Sequence, residues 1–109
     1  IAGAWLLEIQ PISDERGFFA RSLCVDTLAA HGLEGRMQQQ SVSFNQRRGT
    51  LRGMHYQSAP HEEIKLVRVT QGRIYDVILD LRRDSPSYLR WHAVRGRAPY
   101  LSSAFVQAA

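Results

Sequence analysis

The sequence predicts an all-β domain of antiparallel sandwich or barrel type with one short helix. Three observations lead there. Several segments alternate apolar and polar residues with the period of a strand. The turns between them are short and carry Gly, Asp, Ser or Pro. Only one segment has helical spacing, and 109 residues suit a single domain.

Taken in order, AWLLEI (4–9) reads as the first strand. SDERGFF follows, with Asp14 and Gly17 as turn residues. VDTLAAHG (25–32) reads as the helix, with Gly32 as its stop. From Met37 the pattern turns to β. MQQQSVSFN (37–45) ends in alternation, Val42 and Phe44 against Ser41, Ser43 and Asn45. QRRG is a turn, and TLRGMHYQ (50–57) is the next strand. Its alternation puts Leu51, Gly53 and His55 on one face, and Arg52, Met54 and Tyr56 on the other. After the loop SAPHEE, IKLVRVT (64–70) alternates cleanly, Ile64, Leu66 and Arg68 against Lys65, Val67 and Val69. QGR is a tight turn into IYDVILDL (74–81). RRDSPS is a further turn, and YLRWHAV (88–94) is the last clear strand. RGRAPYLSSAFVQAA lacks the alternation seen upstream.

An apolar fraction of 44% fits a packed core and argues against disorder. The formal charge is +4, and arginine supplies nearly all the basic side, Lys65 being the only lysine. The arginines are dispersed, which suits a small anionic ligand better than nucleic acid. Cys24 is the only cysteine, so no internal disulfide forms and a reducing compartment is the default. Its thiol fits an inert role better than a catalytic one. No apolar run approaches the ~20 residues of a membrane helix, and the start has no signal-peptide pattern.

Candidate chemistry centres on His55. A neutral imidazole in a pocket is a general base near pH 7. By spacing alone, a hydrogen-bonded core histidine fits better. Lys65 opens an apolar strand, where an inward ammonium would stabilise an enolate oxygen or a phosphate. A solvent-facing lysine is the plainer reading. Arg16, Arg52 and Arg68 lie on or beside strands and have the fork that grips phosphate. Arg47, Arg48, Arg82 and Arg83 lie in turns and read as ordinary surface charge. Asp76 and Asp80 share a strand face, either to orient an imidazole or as a solvated strand edge. His31, His55, His61 and His92 have no ligand spacing that argues for a metal.

Four segments then carry a resemblance: DERGFFAR (14–21), QQSVSFNQRRGTLRGMHYQ (39–57), EIKLVRVTQGRIYDVILDLRRDSPSY (63–88) and Trp91. In this order they are similar to the dTDP-4-dehydrorhamnose 3,5-epimerase family. The resemblance covers residues 3–94. It implies an N-terminal part of a cupin epimerase domain over 1–94 and a divergent tail over 95–109. The implied fold is all-β, a double-stranded β-helix (cupin jelly roll), incomplete, with its helix near 25–31. The implied reaction is epimerisation of a dTDP-4-keto-6-deoxyhexose at C3 and C5 by enolisation, in dTDP-rhamnose-type sugar biosynthesis. It implies no cofactor and no metal, a dTDP-sugar as substrate, a homodimer and a cytoplasmic location, without nucleic acid or membrane.

By position, the resemblance makes His55 the catalytic base and Lys65 the cation beside the enolate oxygen. Arg52 matches a nucleotide-sugar contact, Arg16 and Phe19 lie in the segment that reaches the nucleotide, and Gln39 opens a substrate-binding strand. Arg21 stands where the family usually has glutamate, and Ser41 where it has asparagine. The family continues with a second histidine, a tyrosine acid and a late aspartate that partners the base. RGRAPYLSSAFVQAA matches none of these, and Tyr100 has the wrong context for the acid. A truncated or frameshifted chain is therefore expected, with its activity in doubt and open strand edges that leave it marginal, aggregation-prone or dependent on dimerisation. The alternatives are a non-catalytic nucleotide-sugar-binding cupin and a strand-mediated interaction protein.

Overall fold

The computed structural model describes residues 1–98 in full and 102–106 as backbone. Among the described residues, seven strands and one helix follow each other: β1 (Ala4–Glu8), β2 (Ile12–Asp14), β3 (Gly17–Phe19), α1 (Val25–Ala30), β4 (Lys65–Val67), β5 (Arg73–Leu79), β6 (Trp91–Arg97) and β7 (Ser102–Val106). They form an antiparallel three-stranded sheet in the order β1-β7-β4, and two ladders, β2-β3 and β5-β6. The architecture is all-β with short sheets, an incomplete double-stranded β-helix.

Local chemistry accounts for the elements. In the β2-β3 hairpin, Asp14 pairs with Gly17 across a two-residue loop. Gly17 has φ +138°, a conformation side chains resist. Helix α1 turns Leu28 inward and ends at Gly32, φ +71°, whose N–H donates to the Ala29 carbonyl at 2.9 Å. The Leu33 N–H returns to the Leu28 carbonyl at 2.9 Å. Leu28 and Leu33 are buried and form a small core with Leu7 of β1, Met37, Ile64 and Leu66 of β4. The helix thus covers one face of the β1-β7-β4 sheet near the start of β4, where Lys65 lies.

The β5-β6 ladder is the longest, running in register from Arg73 opposite Arg97 to Leu79 opposite Trp91. Gly96 is buried opposite Ile74. A Cβ there would lie 2.6 Å from Val69 Cγ2, so a glycine is what lets Val69 pack over the ladder.

The β5-β6 connection is organised by Asp80, which is 4% exposed. Its carboxylate accepts from Arg82 Nε and Nη2, each at 2.9 Å, and from the Ser85 and Ser87 hydroxyls, each at 2.6 Å. A buried carboxylate is costly unless paired and hydrogen-bonded, and this one is both. Arg82 Nη2 also donates to the Ala2 carbonyl at 2.7 Å, tying the loop to the N-terminal segment. Two expectations are corrected here. Arg82 is not ordinary surface charge, and Asp80 neither edges into solvent nor orients an imidazole.

The expected strands over 37–45 and 50–57 do not form, and residues 33–64 contain no strand. Val42 and Leu51 are each 93% exposed. Alternation marks a segment able to pair, but a strand needs a neighbour to take its N–H and C=O groups. Conversely, 102–106 form β7 although their sequence lacks alternation; β7 lies between β1 and β4 and pairs with both. β6 runs on through residue 94 to Arg97. Tyr100 lies outside the described residues.

Candidate functional site

The eight residues that the resemblance assigns to the site, Arg16, Phe19, Arg21, Gln39, Ser41, Arg52, His55 and Lys65, fall on three parts of the molecule. Arg16 occupies the β2-β3 loop. Its backbone N–H donates to Asp14 Oδ1 at 2.9 Å, and its Nε and Nη2 donate to Oδ2 at 3.2 and 2.6 Å. That guanidinium holds the Asp14 carboxyl below the usual carboxylate range. Phe19 ends β3 opposite Ile12 and is 74% exposed. Arg21 precedes the helix and reaches Cys24 Sγ at 3.8 Å. Hydrogen bonding from the Thr27 side chain and backbone pushes the Cys24 thiol down, and the Arg21 charge adds to this.

Gln39, Ser41, Arg52 and His55 lie in the strandless stretch, all exposed. Arg52 Nε donates to Asn45 Oδ1 at 2.9 Å across the turn, and Thr50 Oγ1 donates to the Arg47 carbonyl at 2.8 Å. These bonds hold the two limbs of the turn together in place of a ladder. His55 is exposed and makes no side-chain hydrogen bond among the described residues. The reading of His55 as a core histidine therefore does not hold.

Lys65 opens β4, half-exposed, with its Nζ 3.0 Å from Glu63 Oε1. With its amide turned to donate, Gln57 reaches both Glu63 oxygens, at 2.7 and 3.0 Å. Glu63 thus connects the segment bearing His55, two residues before Gln57, to the strand bearing Lys65. Each side-chain hydrogen bond or ion pair of the eight residues goes to a residue outside the eight. The Glu63 link was not anticipated. Its signal was Glu-x-Lys at the start of a strand, which puts carboxylate and ammonium on one face.

A separate cleft of about 300 Å³ is lined by Phe18, Ser22, Arg68 and Thr70 among others, and by none of the eight. Among the described residues, no three His, Cys, Asp or Glu side chains gather as a metal-binding group. No described helix is long and apolar enough to cross a membrane.

Comparison with known proteins gives one consistent answer. The family model for dTDP-4-dehydrorhamnose 3,5-epimerase matches residues 1–105. A dTDP-4-dehydrorhamnose 3,5-epimerase of Streptomyces griseus is 37% identical over 103 residues, which cover 94% of this chain and 51% of the relative. The crystal structure of the Bacillus anthracis dTDP-4-dehydrorhamnose 3,5-epimerase with TDP and PPi bound superposes with a TM-score of 0.83 at 38% identity, covering 94% of this chain and 64% of that one. NovW, a 4-keto-6-deoxy sugar epimerase from the novobiocin gene cluster of Streptomyces spheroides, gives 0.88 at 31% identity, covering 97% and 53%. The chain spans about half the length of the curated relatives it matches.

Proposed function

This chain belongs to the dTDP-4-dehydrorhamnose 3,5-epimerase family, and on that premise we propose that it carries the base and cation of a dTDP-4-keto-6-deoxyhexose epimerase. The observation that supports this most is the match over residues 1–105, which takes in every residue assigned below.

In the proposed step, the His55 imidazole removes the proton from the carbon next to the C4 ketone. The C–H electron pair moves into the ring bond, and the carbonyl pair moves onto oxygen as an enolate. The Lys65 ammonium offsets that charge, an interaction stronger in the transition state than in the ground state. A proton returned from the opposite face inverts the centre; the acid that supplies it is assigned to no described residue. Arg16 and Arg52 take the diphosphate, Phe19 the base of the nucleotide, and Arg21, Gln39 and Ser41 the remaining sugar and nucleotide contacts. Arg21 replaces the carboxylate usual in the family, so the site favours a substrate with more negative charge near that position.

We place the reaction in the cytoplasm and in a homodimer. The lone cysteine supports the first. The exposed Val42, Phe44, Leu51, Met54 and Tyr56 support the second, because a second copy would cover them. The reading is tested by incubating the protein with a dTDP-4-keto-6-deoxyhexose in D2O and following deuterium at C3 and C5 by mass spectrometry. Uptake at either carbon is expected. Tight dTDP binding without uptake would favour a binding module instead.

A further inference from the structure

We propose that Glu63 is a positioning residue that sets Lys65 and the His55 segment in one arrangement. The proposal rests on the epimerase reading for its purpose, but on geometry for its content.

The segment around His55 has no ladder to fix it, since residues 33–64 contain no strand. It is nevertheless joined to β4 at one point. With its amide turned to donate, Gln57 lies 2.7 and 3.0 Å from the two Glu63 carboxylate oxygens, and Glu63 Oε1 lies 3.0 Å from Lys65 Nζ. One carboxylate therefore meets two donors from chain segments eight residues apart. Lys65 has no other ion pair among the described residues.

A long lysine stem has many rotamers, and fixing them in advance is what makes a cation effective at a developing oxyanion. Glu63 supplies that restraint. It also offsets the ammonium charge in the resting site, where both side chains are half-exposed. Glu63 itself touches no reacting atom.

The charge-neutral Glu63→Gln retains an acceptor for Gln57 but loses the ion pair. Glu63→Asp retains the charge with a shorter reach. The test uses three readouts on the full chain. The first is the rate at which Lys65, the only lysine, is acylated by a succinimidyl ester, read by peptide mass mapping. The second is deuterium uptake into the substrate, resolved into kcat and KM. The third is dTDP affinity.

In Glu63→Gln, Lys65 acylation is expected to rise about threefold, in keeping with the weak hold of a half-exposed ion pair. The kcat for uptake should fall about tenfold, with KM and dTDP affinity within about twofold, the signature of an interaction that acts at the transition state. Glu63→Asp should recover part of kcat. Gln57→Ala and Glu63→Ala should combine less than additively, as for residues in one network. Unchanged kcat in Glu63→Gln, or kcat and dTDP affinity falling together, would overturn the assignment. If the unaltered protein shows no uptake, the epimerase reading fails. Lys65 acylation then decides Glu63 separately: a faster reaction in Glu63→Gln sustains the link, and an unchanged one removes it.

Discussion

At the scale of single residues, the two carboxylates with the clearest environments are Asp80 and Asp14, and they differ in burial. Asp80 is enclosed, and Arg82 above all, then Ser85 and Ser87, hold its carboxyl far below the usual range. A carboxylate with a depressed folded pKa adds stability above its unfolded value near 4, and loses it as pH falls. Unfolding midpoints should therefore decline with acidification below about pH 5, and Asp80→Asn should flatten that decline. At pH 7, Asp80→Asn should cost about 2 kcal/mol, less than a fully buried pair because the Arg82 side chain is 30% exposed. Urea titrations across pH check both outcomes. The Asp14–Arg16 pair is exposed, and Asp14→Asn should leave the midpoint within measurement error. Asp80 also shows why residue roles were only partly legible. Its parity with Asp76 was visible, but the Arg82, Ser85 and Ser87 that engage it come from a folded-back turn that spacing alone does not close.

At the scale of elements, legibility followed whether a segment carries its own structural reason. Turn residues with required conformations, Gly17, Gly32 and Gly72, marked the turn at 14–17, the helix end and the β4-β5 turn, while the strands β2 and β3 beside Gly17 were not anticipated. The clean alternation of 64–70 and 74–81 became β4 and β5. The stretch 37–57 has alternation but no neighbouring strand, and 102–106 has neighbours without alternation. Strand identity there depends on pairing, which a local pattern does not contain. Gly96 is a case where the element depends on a missing side chain. Gly96→Ala should drive a methyl into Val69 and cost about 1–3 kcal/mol in a urea titration, as overpacking in a core does. The same change at Gly53, where a Cβ meets nothing within 4 Å, should cost little.

At the scale of the whole molecule, a small core of Leu28 and Leu33 with their neighbours coexists with exposed Val42, Phe44, Leu51, Met54 and Tyr56. Exposed large apolar side chains favour association when they cluster. Replacing Val42, Leu51 and Met54 together by serine should shift sedimentation toward monomer without lowering the unfolding midpoint, since none of the three belongs to the core. The candidate site was assigned from its residue types, because His55, Lys65 and the arginines stand within the residues matched to the family. Its internal connection through Glu63 was not, because it depends on where 55–57 lies against β4. The central proposal is that His55 is the base of a dTDP-sugar epimerase. The most direct measurement is deuterium uptake from D2O into a dTDP-4-keto-6-deoxyhexose, run in parallel on the unaltered protein and His55→Asn. Uptake is expected from the first and none above background from the second, with dTDP affinity within about threefold. Equal uptake by both proteins would contradict it.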